Sequence, residues 1–271
     1  VNTGSGNTTV GGYSLDANTT GTENVAIGLY ALSANTTGDR NVAIGCGALD
    51  ANTTADTNTA VGSNALGVNT TGSSNTAVGD LSLDANTTGS NNTATGRSTL
   101  GANTTGLGNT TIGAGSLNSN TEGNCNVAVG YLALDLNTTG TDNVAIGRDA
   151  GGCQTTVSNN TAIGAASLFK NTGDKNTAVG TLALMCNTTA AQNVAVGYCA
   201  LKTNTTGGNL TAVGQKALAA STTGANNTAI GHDSLGANTT GASNTAGGQA
   251  SLIGNTTGNN NTALGLNSGV A

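Results

Sequence analysis

Several residue types that build ordinary globular domains are absent or nearly absent from this chain of 271 residues. It has no Pro, no Trp, one Phe and one His, and aromatic residues make up 2 % of it. A core of the usual thickness is built largely from Leu, Ile, Phe and Trp, so such a core is disfavoured. Disorder usually comes with Pro or high charge, and charged residues are only 7 %. The composition therefore favours a thin, repetitive β structure.

Charge and long apolar runs are also scarce. The formal net charge is -6, and the seven Lys and Arg residues are scattered without a basic stripe. Electrostatic binding of nucleic acid is therefore not expected. No apolar run approaches the roughly eighteen residues that a membrane-spanning helix requires, so we expect no membrane insertion.

The residues that usually carry chemistry are too few or too dispersed for a catalytic site. His232 stands beside Asp233 with no second candidate base, which is typical of a solvated surface His. Carboxylates share position 10 of a repeat described below but occupy non-adjacent copies: Asp16, Asp50, Asp84 and Asp135. No P-loop, nucleophile elbow, zinc spacing or calcium-solenoid motif is present. We expect no enzyme activity, no cofactor and no metal.

Cysteine is represented by five residues, an odd number that rules out complete internal pairing: Cys46, Cys125, Cys153, Cys186 and Cys199. Cys153 and Cys186 share a repeat position but lie two repeats apart, which exceeds the reach of a disulfide in stacked β layers. We expect most of the five to be small apolar fillers, with a bond between adjacent or facing layers as the alternative.

The chain does have a strict internal period. The motif Asn-(Thr or Val)-Ala-(Val or Ile)-Gly recurs every 17 residues, with one step of 16 where a Thr is missing near Asn171-Thr172-Gly173. Copies begin at Asn7, Asn24, Asn41, Asn58, Asn75, Asn92, Asn109, Asn126, Asn143, Asn160, Asn176, Asn193, Leu210, Asn227, Asn244 and Asn261. With the first Asn as position 1, the repeat reads N-T/V-A-V/I-G-x-x-A/S-L-x-A-N-T-T-G-x-x, and position 5 is always Gly.

The length and chemistry of this repeat predict an all-β fold. Seventeen residues are too few for a helical-hairpin repeat, and the only helical candidate, positions 6 to 11, is under two turns long. Positions 1 to 4 have strand character, and Gly at positions 5 and 15 suits corners. We expect a parallel β-solenoid (β-roll) of 16 coils that forms one domain over residues 1–271. The coils over about 143–176, which lose a Leu and carry the deletion, should contain a bulge or bend.

Alternation along a strand assigns the faces of each coil. Positions 2 and 4 share one face, and we expect them to fill the coil together with the Leu of position 9. The predicted core therefore includes Ile27, Ile44, Val61, Val78, Leu32, Leu49, Leu66 and Leu83. Position 3 then faces outward, and its column of Ala indicates self-association against another chain through Ala26, Ala43, Ala60, Ala77 and Ala94. The alternative is that Ala and Gly simply fit a tight coil.

Identical side chains stacked one layer apart predict hydrogen-bonded ladders. We expect such ladders at positions 12 and 13, through Asn35, Asn52, Asn69, Thr36, Thr53 and Thr70. Asn-Thr-Thr is also an N-glycosylation sequon, so dense glycosylation is an alternative to a stacked turn. Thr ranks further suggest ice binding, although the adjacent Thr residues of positions 13 and 14 leave only one continuous rank facing out.

The core motif, as in Asn24-Val25-Ala26-Ile27-Gly28 and Asn143-Val144-Ala145-Ile146-Gly147, resembles the repeat of YadA-like heads of trimeric autotransporter adhesins. The longer unit, Asn227-Thr228-Ala229-Ile230-Gly231 followed by Ser234-Leu235-Gly236-Ala237-Asn238-Thr239-Thr240-Gly241, is similar to repeats of phage-type tail-fibre proteins. The resemblance covers the whole chain. It implies a trimeric, left-handed parallel β-roll on a cell or virion surface, with a cell-surface receptor or glycan as a further partner.

These observations predict a structural extracellular fibre or adhesin that associates with itself laterally as a trimer, end to end, or both. Neither end of the sequence carries the amphipathic helix or charged cap that solenoids normally need. We expect either a slice of a longer chain or ends that stack on other molecules. An ice-binding solenoid is the alternative function.

Overall fold

The computed structural model describes residues 3–269. These residues contain sixteen strands of three residues each and no helix. The strands are β1 (Thr8–Val10), β2 (Val25–Ile27), β3 (Val42–Ile44), β4 (Thr59–Val61), β5 (Thr76–Val78), β6 (Thr93–Thr95), β7 (Thr110–Ile112), β8 (Val127–Val129), β9 (Val144–Ile146), β10 (Thr161–Ile163), β11 (Thr177–Val179), β12 (Val194–Val196), β13 (Thr211–Val213), β14 (Thr228–Ile230), β15 (Thr245–Gly247) and β16 (Thr262–Leu264).

The chain divides into two compact units, one ending at Gly140 with β1–β8 and one beginning at Thr141 with β9–β16. Within each unit every strand pairs in parallel with the next one along the chain, and each residue pairs with its equivalent one repeat away. The predicted all-β parallel solenoid is therefore confirmed. A single domain over residues 1–271 stays a prediction.

The one-residue deletion does not disturb the strands. Thr161 pairs with Thr177, sixteen residues on, and Ala162 and Ile163 pair with their equivalents in the same register. The shorter repeat is accommodated in the turn that follows Asn171. The strands β9–β11 therefore contain no bulge, and the predicted bulge or bend over about 143–176 stays a prediction for the rest of these coils.

Hydrogen bonds between coils involve most of the backbone, not only the strands. The N–H of Val42 donates to the carbonyl of Asn58 one coil ahead, at 2.8 Å. The N–H of Gly45 donates to the carbonyl of Ile27 one coil behind, also at 2.8 Å. Because buried backbone groups need partners, an interior coil is satisfied only when both neighbouring coils are in place.

The interior of each coil is filled by the Ala of position 3 and the Leu of position 9. All four Leu of the predicted core are fully buried: Leu32, Leu49, Leu66 and Leu83. The Ala column is fully buried as well, within its own coil: Ala26, Ala43, Ala60, Ala77 and Ala94. The prediction that this column is an outer self-association face is therefore wrong, and Ala is present because it fits a tight coil.

The aliphatic half of the predicted core lies outside. Ile27 and Ile44 are each 37 % exposed, Val78 is 36 % exposed, and Val61 is partly exposed. The reason lies at position 1, where Asn is fully buried, as at Asn41. Positions 1 and 3 share one face of a strand. Burying this Asn therefore turns Ala inward and the residues of positions 2 and 4 outward.

The Asn residues of position 12 form a ladder through the interior of the coils. The Nδ2 of Asn52 donates to Oδ1 of Asn35 at 2.9 Å and to the carbonyl of Ala55 at 3.1 Å. The Nδ2 of Asn69 in turn donates to Oδ1 of Asn52 at 3.1 Å. The three predicted Asn residues thus bond side chain to side chain, each one coil from the next.

A second ladder, which the sequence interpretation missed, runs through the Asn residues of position 1. The backbone N–H of Asn41 donates to Oδ1 of Asn24 at 2.9 Å. The Nδ2 of Asn41 donates to the carbonyl of Ala55 at 2.8 Å, the same carbonyl that Asn52 reaches. Both Asn columns therefore converge on the carbonyl of position 15.

The Thr residues of position 13 stack differently from the prediction. The hydroxyl of Thr36 donates to the backbone carbonyl of Thr53 at 3.0 Å, and that of Thr53 donates to the carbonyl of Thr70 at 3.3 Å. The column is therefore a ladder from side chain to backbone, and its hydroxyls do not bond to one another.

The backbone is held in conformations that L-residues usually avoid. Leu32 and Leu49, at position 9, have φ of 55° and 52°, and Tyr30, at position 7, has φ of 57°. Such a conformation costs roughly 1–2 kcal/mol per residue, and it persists only where the surroundings over-determine it. At position 5 only Gly is possible: Gly45 has φ of 138°, and a Cβ there would lie 2.4 Å from the carbonyl oxygen of Gly62.

The interior ladders are interrupted within the stretch predicted to be irregular. Gln154 replaces Asn at position 12, and both polar atoms of its amide are buried without a partner in the described chain. In the shortened coil, Nδ2 of Asn160 is also buried without a partner. The carbonyl of Gly173 there accepts from Asn171 and Asn176 instead. The irregularity of residues 143–176 therefore lies in the polar interior.

A third interruption occurs in the coil that begins at Leu210. Leu210 takes position 1 and Ser221 takes position 12, so this coil has neither of its interior Asn residues. As a result, Oδ1 of Asn204 and Oγ of Ser221 are buried without partners within the described residues. A buried polar atom without a partner costs about 1–3 kcal/mol, which makes this coil a weak point of its unit.

Candidate self-association surface

The outward side chains of positions 2 and 4, the first and third residues of each strand, form what we call the strand face. Position 2 is Thr or Val in every strand, and position 4 is Val or Ile except at Thr95, Gly247 and Leu264. No charged residue occurs at either position. A strand face open to ordinary solvent usually acquires Lys, Glu or other polar residues, so this composition is unusual.

The aliphatic side chains of the strand face are substantially accessible. Ile112 is 47 % exposed and Ile230 is 51 % exposed, and the rest of position 4 is similar or half-buried. Eight strands about 4.8 Å apart, each about 10 Å long, give a flat area of roughly 380 Å² per unit. The area includes the Thr hydroxyls of position 2, and its apolar part comes from Val, Ile and the Thr methyl groups. Apolar patches of a few hundred Å² are among the largest on monomeric proteins and are often functional.

The Thr residues of the strand face carry hydroxyls that make no hydrogen bond from one coil to the next within residues 3–269. In the described chain, the Thr hydroxyls that connect one coil to the next come mainly from position 13, such as Thr36 and Thr87. The hydroxyls of Thr59 and Thr76, at position 2, point to the outer side of the sheet with the neighbouring Val side chains. The face thus combines ranks of methyl groups with ranks of hydroxyls.

Exposed aromatic residues lie at the corner beside the strand face, at positions 6 and 7. All four Tyr residues of the chain are there, and all four are exposed: Tyr13, Tyr30, Tyr131 and Tyr198. The rings of Tyr13 and Tyr30 stack with centroids 5.1 Å apart and planes 9° apart. Tyr is enriched in protein interfaces because it offers a large, rigid contact area.

Two carboxylates of position 10 lie beside one open cavity. Asp50 and Asp84 flank an open cavity of about 300 Å³ whose floor is Gly67, in the coil between them. Burial raises the pKa of the Asp84 carboxyl above its ordinary value. Residues 3–269 contain no group of three or more His, Cys, Asp or Glu that could hold a metal ion.

Other carboxylates have a structural role that the sequence interpretation missed. At position 16, Oδ1 of Asp39 accepts the backbone N–H of Thr22 at 2.7 Å, and Oδ1 of Asp56 accepts that of Asp39 at 2.7 Å. The bond from the Thr22 backbone is the main reason that the pKa of Asp39 is lowered. His232 is exposed at the surface and its Nδ1 lies 3.1 Å from Oδ2 of Asp233.

The sequon Asn residues are enclosed. Asn35 is fully buried, and its Nδ2, where a glycan would be attached, donates to Oδ1 of Asn18 and to the carbonyl of Gly38. Attachment of a glycan would replace one of the two N–H groups that make these bonds and would need space that a fully buried amide does not have, which favours the stacked turn over glycosylation. None of the five Cys residues lies in a disulfide: Cys46 and Cys125 are exposed, Cys153 and Cys186 are half-buried, and Cys199 is buried. The prediction that most of the five are apolar fillers does not hold for Cys46 and Cys125.

The strand face is the principal candidate surface because it is exposed, uncharged and rich in Val and Ile. Across residues 3–269 no helix is long and apolar enough to cross a membrane. No protein-family model and no curated protein matches the chain.

Proposed function

We propose that this chain is a structural β-solenoid that assembles laterally with further copies of itself, as part of an extracellular fibre or adhesin. The observation that carries the proposal is the strand face, an exposed, uncharged sheet surface of Thr, Val and Ile. This surface takes over the role first assigned to the Ala column, which is buried.

Physical chemistry supports a protein partner for this surface. Burying apolar area contributes about 25 cal/mol per Å², and the strand face can be covered without desolvating a charge. The side chains are β-branched and sit on a backbone held by coils on both sides, so little conformational entropy is lost on docking. Flat, uncharged faces of the same composition can pack on one another, and in a trimer three such heterologous contacts close into a ring.

The surface location and the trimeric state rest on the resemblance to YadA-like heads and tail-fibre repeats. In such an arrangement three solenoids would turn their strand faces toward a common axis. The remaining sides of the coils would then be available to a receptor or glycan. End-to-end stacking would add parallel strand pairing of the kind found within each unit.

Sedimentation across a range of concentrations tests the proposal, with a charge placed on the strand face of each unit. Ile44→Lys and Ile146→Lys, combined, introduce ammonium groups at exposed positions, so folding should be retained while association is lost. A matched control places Lys at two exposed Thr residues of position 14, Thr54 and Thr156, away from the strand face.

The wild type and the control should sediment as the same oligomer, and the strand-face variant as a monomer. A wild type that stays at 25.9 kDa at all concentrations refutes lateral assembly. Equal association of both variants would show that a different surface is used. Circular dichroism of each variant verifies that the β structure is kept.

Ice binding remains a second candidate because the structure shows two outward ranks at alternate positions. Thr stands at position 2 in strands such as β4 and β5, and Val at position 4 completes the second rank. Thermal hysteresis of the wild type, lost when Thr59 and Thr76 are replaced by Lys, would support this candidate. Hysteresis absent from a monomeric wild type would remove it.

A further inference from the structure

The apolar character of the strand face is concentrated in certain coils. Val replaces Thr at position 2 in only five of the sixteen strands, and three of these five coils also carry a Tyr at the adjacent corner. We call these three the anchor coils, and their outward residues are Val25, Ile27, Leu29 and Tyr30; Val127, Val129 and Tyr131; and Val194, Val196 and Tyr198. The other two Val residues of position 2, Val42 and Val144, have no Tyr beside them.

We propose that a second copy of this chain docks chiefly on the anchor coils, with the Tyr side chains as the residues that dominate the binding energy. This inference rests on the proposed lateral assembly and adds where on the strand face the partner is held. The coils with Thr at position 2 then serve to align the two faces and contribute less to affinity.

The first argument is area. The strand faces of the two units, counted separately, come to roughly 770 Å², close to the about 800 Å² that a stable interface buries on each partner. Much of that area carries hydroxyls, because most strands have Thr at position 2. A fully covered Tyr buries about 150–250 Å². The exposed Tyr30, Tyr131 and Tyr198 therefore add the largest contact areas that single residues of this surface can contribute.

The second argument is the cost of desolvation. Covering a Thr hydroxyl without giving it a partner costs free energy, whereas covering a Val of nearly the same shape does not. A coil with Val at position 2, an aliphatic residue at position 4 and Tyr at the corner is therefore covered at the lowest cost. Few residues carry most of the energy in typical interfaces, and Tyr is prominent among them.

The third argument is pre-organisation. The rings of Tyr13 and Tyr30 are already stacked at 5.1 Å in the isolated chain. Tyr30 is held at φ of 57° by the inter-coil hydrogen bond of its N–H to Gly12. A docking surface that is ordered before binding loses less entropy when the partner arrives.

Substitutions that the chain already uses at the same positions test this inference. The anchor variant combines Val25→Thr with Tyr30→Ser, Val127→Thr with Tyr131→Gln, and Val194→Thr with Tyr198→Gln. Thr is common at position 2, Ser98 occupies position 7 with φ of 50°, and Gln215 occupies position 6, so the fold should be retained. The control variant makes the same number of changes in non-anchor coils. It combines Val42→Thr, Val144→Thr and Val61→Thr with Leu81→Ser, Leu182→Ser and Leu266→Gln, the first two at position 2 and the Leu changes at positions 7 and 6.

The dissociation constant of each variant is measured by sedimentation equilibrium. Because the chain has no Trp, Tyr emission also follows the association directly in the wild type. The anchor variant should dissociate at a concentration more than about 100-fold higher than the wild type, and the control within about 5-fold of it.

Equal weakening of both variants would overturn the inference, because the energy would then be spread evenly over the strand face. So would an anchor variant that associates as tightly as the wild type while the Lys variant of the strand face is monomeric. In both cases lateral assembly stands. A monomeric wild type refutes the proposed function instead, and the two failures are therefore distinguishable.

Discussion

Replacing Asn52 by Ser should destabilise the first unit by about 2–4 kcal/mol. The substitution removes the bonds of Asn52 to Asn35 and Ala55 and the bond that it accepts from Asn69. Ala55 keeps the Nδ2 of Asn41, so the acceptor left without a partner is Oδ1 of Asn35. The orphaned buried acceptor costs about 1–3 kcal/mol. The other two bonds contribute about 1 kcal/mol together, because the Ala55 carbonyl keeps Asn41 and the Nδ2 of Asn69 keeps the carbonyl of Gly72.

The chain contains the same arrangement at Ser221, which leaves Oδ1 of Asn204 without a partner. Urea titration followed by circular dichroism measures the change in the free energy of unfolding. Because a repeat array need not unfold in two states, amide hydrogen exchange should show the loss concentrated in the coils around Asn52. The control is Thr54→Ser at an exposed turn, expected within 0.5 kcal/mol of the wild type, about the usual limit for a surface change. A loss below about 0.5 kcal/mol for Asn52→Ser would refute the ladder as a source of stability.

Three further predictions address the corner, the faces and the pH dependence. Gly45→Ala should lower the free energy of unfolding, measured with urea, by more than about 3 kcal/mol, because the new Cβ would lie 2.4 Å from the carbonyl oxygen of Gly62. A loss no larger than that of a Gly→Ala change at an exposed site would contradict this geometry. Ala43→Val should destabilise the protein by about 1–3 kcal/mol, because the buried Ala43 has no room for a larger side chain. Ile44→Thr, at an exposed position, should destabilise it by less than about 1 kcal/mol. The reverse order would indicate that Ile44 faces inward and Ala43 outward. Asp84→Asn should stabilise the protein by less than about 1 kcal/mol at pH 7, because burial raises the pKa of the Asp84 carboxyl and disfavours its charged form. Urea unfolding at a series of pH values should show this extra stability of the variant disappearing as the pH falls through that pKa and Asp84 becomes protonated.

The 17-residue repeat made the parallel β-solenoid predictable from the sequence. A repeat of 17 residues with strand-forming positions and an invariant Gly determines a parallel solenoid, since neighbouring copies have no other way to pair in register. The burial of the Leu of position 9 and the ladder of Asn35, Asn52 and Asn69 were predictable too, because stacking places identical groups one coil apart.

The assignment of faces could not be made from hydrophobicity alone. Val and Ile are more apolar than Ala, so a transfer scale places Ile44 inside and Ala43 outside. The structure shows the reverse because the buried Asn41, which points to the same inward side of the strand as Ala43, makes two ladder bonds that only the interior provides. The available signal was the near-invariance of Asn at position 1, which a solvent-exposed column would not need.

The candidate surface was missed for the same reason. The prediction placed the Ala residues of position 3 on the outside and the Val and Ile residues of position 4 in the core. The residues that form the exposed surface were therefore not considered for binding. The corner Tyr residues carried a signal of their own, since all four share positions 6 and 7 in a chain almost free of aromatics. A large ring does not fit inside a coil that Ala fills, so these positions had to be exposed.

The equivalence of successive coils bears on how such a chain changes over generations. Each coil offers the next one the same donors and acceptors, so removing or duplicating one whole repeat creates no new kind of junction. Residues 58–74 could be excised, and Asn75 would then meet Asn41 with the chemistry that Asn58 had. Partial changes are confined to turns, as the shortened repeat before Thr177 illustrates. Recombination between repeats can therefore lengthen or shorten this protein by whole coils while the contacts between neighbouring coils stay the same.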